Sequence, residues 1–111
     1  DGAIETYKRI VAGGATPEMV VDAYVGMGDV YYAAGRWAYA LSAYEKVLLE
    51  LEPRDKAFIL YKIGVISSEM GNKPAALNSW REAAVSDKGS HIARLAEERI
   101  KESMLWQSVG M

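Results

Sequence analysis

Apolar residues recur at three- and four-residue intervals along most of this chain, and glycine, proline or a capping residue closes each run. That rhythm predicts an all-α protein of about six helices. Ala3, Ile4, Tyr7, Ile10 and Val11 share one face of a first helix over residues 3–12, which Gly13-Gly14 stops. Thr16 then suits an N-cap, Pro17 the first helical position and Glu18 the positive end of the helix dipole, so a second helix should run from 17 to 34. Gly35-Arg36 makes a tight reversal into a third helix over 37–51, with Ala40, Leu41, Tyr44, Val47 and Leu48 on one face and Pro53 as its stop.

Asp55 is a candidate cap for a fourth helix that aligns Ala57, Leu60, Ile63, Gly64 and Ser67. Gly71-Asn72-Lys73-Pro74 again reads as stop, turn and start. The fifth helix turns Ala76, Leu77, Trp80, Ala83 and Ala84 inward, and Asp87-Lys88-Gly89-Ser90 forms a loop in which Ser90 caps a sixth. That last helix should run to about Trp106 through Ile92, Leu95, Ala96, Ile100 and Met104. Two glycines inside the second helix, Gly26 and Gly28, would each cost about 1 kcal/mol against alanine unless a neighbouring element comes close.

Gly28 and Gly64, Gly35 and Gly71, and Ala40 and Ala76 are each 36 positions apart, so one period governs both halves. With Tyr24-x2-Met27-Gly28-x2-Tyr31, then Ala40-x3-Tyr44, then Pro53, the chain resembles the tetratricopeptide repeat family. Ala3-x3-Tyr7, with Ile10, matches the second-helix part of the motif. The resemblance implies a second helix of a truncated repeat at 3–14, repeats at 17–53 and 54–88, and a capping helix at 90–106. It implies a right-handed superhelical stack of antiparallel helix hairpins, an α-solenoid, within a single domain. The period is slightly longer than the usual repeat of about 34 residues. Tyr24 and Leu60 stand where the motif prefers Trp, Ser67 replaces a Tyr, and Lys88 takes the place of the closing Pro. Residues 90–100 also look like the closing helix of bacterial envelope repeat proteins, such as the Tol-system coordinator and outer-membrane assembly lipoproteins.

Charge and composition narrow the class. In 111 residues, 13 basic and 15 acidic side chains leave a net charge of −2 with no Lys/Arg stripe, so nucleic acid is not an expected partner. The chain has no cysteine, which excludes a disulfide framework and thiolate metal sites and leaves a cytoplasmic and a bacterial periplasmic setting equally open. No apolar run approaches the roughly 20 residues of a membrane span, and residues 1–5 do not resemble a signal peptide, so a soluble segment without membrane insertion is expected.

Chemistry finds little purchase. Gly26-Met27-Gly28-Asp29 lacks a third glycine and a preceding strand, so helix packing explains it better than phosphate binding. His91 is the lone histidine, and Glu97-Glu98 interleaves with Arg94, Arg99 and Lys101 as a solvated face. No catalytic residue, metal or cofactor is expected.

The aromatics point elsewhere. Tyr24, Tyr31, Tyr44 and Trp80 fall on packing positions, where a ring fills the space that Gly28 and Ala40 leave; Tyr32, Phe58 and Tyr61 do not. In the repeat family the first helix of each hairpin lines the concave face. On this chain that implies a groove of Asp22, Val25, Asp29 and Tyr32, then Phe58, Tyr61, Lys62, Val65, Ser68 and Glu69, then Leu95 and Arg99. The Lys/Asn clamp that some repeats use for chaperone tails is absent, and a partner segment of basic or aromatic character is the better match. The expected function is a non-enzymatic scaffold that binds a peptide or helix of a partner. The alternative is homo-oligomerisation through the unpaired N-terminal helix, by Ile4, Tyr7 or Ile10.

Overall fold

The computed structural model describes residues 2–50 and 55–109, including side chains except those of Glu50 and residues 106–109. These residues form six helices: α1 (Gly2–Ala12), α2 (Pro17–Ala33), α3 (Trp37–Glu50), α4 (Lys56–Glu69), α5 (Lys73–Ser86) and α6 (His91–Val109). The fold is all-α. Leu51 and Pro53, expected to close the third helix, lie outside the described residues, as does the side chain of Trp106.

The chain divides into two compact units, residues 1–54 and 55–111. In the first, α2 packs against both α1 and α3; in the second, α5 packs against α4 and α6, and α4 also touches α6. Short turns between packed neighbours make α1–α2, α2–α3, α4–α5 and α5–α6 antiparallel hairpins.

Both central turns have the same construction. Gly35 (φ 73°) and Gly71 (φ 80°) adopt the left-handed conformation that a side chain resists. After α2, the Arg36 N–H donates to the Tyr31 carbonyl at 2.9 Å and Gly35 N–H to Tyr32 at 3.0 Å. After α4, Asn72 N–H donates to Ser67 at 2.8 Å and Gly71 N–H to Ser68 at 3.0 Å. Each is a Schellman ending, which satisfies carbonyls that the helix leaves without partners.

Helix starts divide more sharply. Thr16 Oγ1 accepts from Met19 N–H at 3.3 Å, Asn72 Oδ1 from Ala75 N–H at 3.2 Å and Ser90 Oγ from Ala93 N–H at 3.0 Å. Asp55, expected to cap α4, makes no such bond. Its backbone (φ −100°, ψ 50°) lies outside the extended region, as does that of Asn72 (φ −96°, ψ 78°), which does cap.

The core follows the expected faces with three corrections. Ala3 is exposed, and Ile4 alone of α1 is fully buried. Met104 is 53% exposed, and the buried residues of α6 among those described are Ala93 and Ala96, both at 0%. In α4, Ile59 and Ile66 are buried in addition to Ala57, Leu60, Ile63, Gly64 and Ser67, so this helix is covered on more than one face, as its nearly all-apolar sequence demands.

Candidate interaction faces

In each of the α2–α3 and α4–α5 hairpins an aromatic ring is laid over a glycine. A Cβ built on Gly28 would stand 2.6 Å from Tyr44 Cε1, and one built on Gly64 would overlap the Trp80 indole. Tyr44 is 0% and Trp80 4% exposed. The two ring positions are themselves 36 apart, matching the glycines beneath them. Of the rings that the sequence assigned to this space, Tyr44 takes the seat on Gly28, while Tyr31 stacks on Tyr39 with centroids 5.2 Å apart. Gly26, unexplained by the sequence, is the seat of the Tyr7 ring from α1. No spacing rule links them, so only the packed structure reveals the pair.

Buried rings with polar atoms need partners. The Tyr44 hydroxyl donates to Asp29 Oδ1, one residue beyond its glycine. Burial first, then the hydrogen bond and negative charge of Asp29, with a contribution from Tyr32, hold the Tyr44 hydroxyl far above the ordinary tyrosine range. The Trp80 Nε1–H instead donates to the Tyr61 carbonyl at 3.2 Å.

The residues expected to contact a partner fall into two groups. On α2, Asp22, Asp29 and Tyr32 are exposed and Val25 is half-buried. Tyr32 tilts against Trp37 at 5.3 Å and 55°, a contact across the turn that the sequence reading did not include. In the second unit, Phe58, Tyr61, Lys62, Val65 and Leu95 are half-buried, and Ser68, Glu69 and Arg99 are exposed. Lys62 Nζ lies 4.9 Å from the Phe58 ring centroid, and Arg99 Nε donates to the Tyr61 hydroxyl at 3.2 Å, tying α6 to α4. Among the described residues no group of three or more His, Cys, Asp or Glu is placed to hold a metal. None of the described helices is long and apolar enough to cross a membrane.

These features place the α2–α3 hairpin beside known proteins. Residues 22–50 match the tetratricopeptide repeat family model. The match spans about a quarter of the chain and covers the Gly28–Tyr44 pair and the exposed face of α2. Tetratricopeptide repeats generally mediate protein–protein interaction and are typically non-enzymatic scaffolds. No curated protein and no solved structure matches this chain.

Proposed function

We propose that the chain is a non-enzymatic interaction module that holds a peptide or helix of a partner protein against exposed helix faces. These are Asp22, Val25, Asp29 and Tyr32 of α2, and the α4–α6 face around Phe58, Tyr61 and Arg99. The observation that carries this reading is where the tetratricopeptide match falls. It covers a hairpin whose outer face presents a ring, carboxylates and an aliphatic side chain together, the mixture that contributes contact area and orientation at interfaces. The acidic character of α2 supports a partner segment of basic or aromatic character.

Self-assembly has less support. Ile4 is buried and Tyr7 is seated on Gly26, so two of the three side chains offered for pairing are already used within the unit. The likeness of residues 90–100 to envelope-protein closing helices keeps a bacterial periplasmic setting open beside a cytoplasmic one. The upstream coding sequence decides between the two, a signal peptide there placing the chain in the periplasm.

Selection from a displayed random-peptide library tests the module. Wild-type protein should enrich a consensus, and a Tyr32→Ala/Tyr61→Ala variant with a normal helical spectrum should lose it. Failure of the wild type to enrich any peptide would remove the proposal.

A further inference from the structure

We propose that the C-terminal end of α2 is an arginine-binding site, in which the Asp29 carboxylate takes a partner's guanidinium and the Tyr32 ring, braced by Trp37, stacks on its plane. This rests on the interaction-module reading and deepens it by naming the partner side chain. The first support is charge. Within Pro17–Ala33, Glu18, Asp22 and Asp29 are the ionisable acids and there is no Lys or Arg, so the helix as a whole favours a cation.

The second is geometry. Asp29 and Tyr32 are three residues apart on a helix and therefore share a face. The carboxylate is surface-exposed yet aimed, because it accepts the hydroxyl of Tyr44, whose ring is fixed over Gly28. A carboxylate has about four acceptor sites, of which the Tyr44 hydroxyl takes one. Tyr32 is 36% exposed, and its contact with Trp37 limits the rotation that would otherwise be lost on binding. A planar guanidinium uses both a carboxylate and a ring face, whereas a lysine ammonium is a hydrated point charge and gains less from the same pair.

The third is an internal control. The positions 36 residues later are Val65, Ser68 and Lys73 in place of Asp29, Tyr32 and Trp37, and α4–α5 builds the same turn and the same glycine-seated ring without them. The hairpin therefore does not require this constellation. Tyr44 enters as a positioning residue, through its hydroxyl.

The test is nitrogen-15 NMR titration of the full chain with acetyl-Gly-Arg-Gly-amide and its lysine and citrulline counterparts. Arginine should shift the Asp29 and Tyr32 amides and the Trp37 indole, binding about fivefold tighter than lysine, with citrulline weaker than both. Asp29→Asn and Tyr32→Ala should each weaken arginine binding about tenfold. Tyr44→Phe should lower the arginine-to-lysine ratio while the amide spectrum keeps its dispersion; an unchanged ratio would overturn its positioning role. Equal arginine and lysine affinity, or shifts away from these residues, would overturn the site. Library peptides enriched without arginine would do the same while leaving the module reading intact; an empty selection would remove the module reading itself.

Discussion

The two hairpins at α2–α3 and α4–α5 solve one problem with different chemistry. Both lay a large ring on a glycine, and both must then satisfy the polar atom that the ring carries indoors. The first uses Tyr44 and recruits a side chain, Asp29. The second uses Trp80 and recruits a backbone carbonyl, that of Tyr61, already present in the helix. A backbone acceptor comes with any sequence, so the position equivalent to Asp29 can be Val65. The packing device is thus common to both units, and the carboxylate beside it is particular to one. What repeats is architecture; what does not repeat is where specificity can reside.

The sharpest way to break the shared part is to fill the seats. Gly28→Ala and Gly64→Ala should each destabilise by about 2 kcal/mol. Overpacking against a fixed ring costs about 1–3 kcal/mol or somewhat more, and the roughly 1 kcal/mol gain in helix propensity offsets only part of it. Gly26→Ala makes the same clash on paper but should cost far less, since Tyr7 is only half-buried and its ring has room to give, whereas Tyr44 and Trp80 are buried. Thermal unfolding of the three variants checks the order, and a Gly26→Ala loss as large as the others would mean that α1 is held as firmly as α3.

That ranking marks the limit of what the sequence discloses. The recurrence of Gly28 and Gly64 shows that a neighbour must come close, because glycine in a helix is otherwise a cost. Which ring arrives is a tertiary fact: Tyr7 reaches Gly26 from another helix, and nothing in their spacing announces it. Although Phe58, Tyr61, Lys62 and Val65 of α4 are half-buried, the exposed face of α2 was likewise legible, through the resemblance to the repeat family. The Tyr44–Asp29 and Arg99–Tyr61 hydrogen bonds were not, because partners 15 and 38 residues apart are joined only by the packing of whole helices.

A middle-sized effect separates the two polar solutions. In the folded chain the Tyr44 hydroxyl keeps its proton well past the pH at which an unfolded tyrosine releases it, near 10. The folded state then binds the extra proton, so this contribution is complete below pH 10 and falls by at most about 1.4 kcal/mol per pH unit above it. Hydrogen exchange on either side of pH 10 should show α2 and α3 losing protection before α4 and α5, whose seated indole does not titrate. Tyr44→Phe should lower stability by about 1 kcal/mol at neutral pH and flatten the alkaline loss. An unaltered alkaline slope in that variant would assign the loss to another group.

The smallest effect concerns helix starts, where the two units also differ. Thr16 caps α2 with a hydrogen bond to Met19 N–H, while Asp55 stands at the same place before α4 without one. A cap acts through that bond, so Thr16→Ala should cost about 1 kcal/mol and Asp55→Ala only the residual attraction of a carboxylate for the helix dipole, about 0.3–0.5 kcal/mol. Salt distinguishes the two causes: the Asp55 effect should fade at high ionic strength, and the Thr16 effect should persist. Equal, salt-independent losses would mean that Asp55 does cap α4 in solution, and that the two helix starts do not differ.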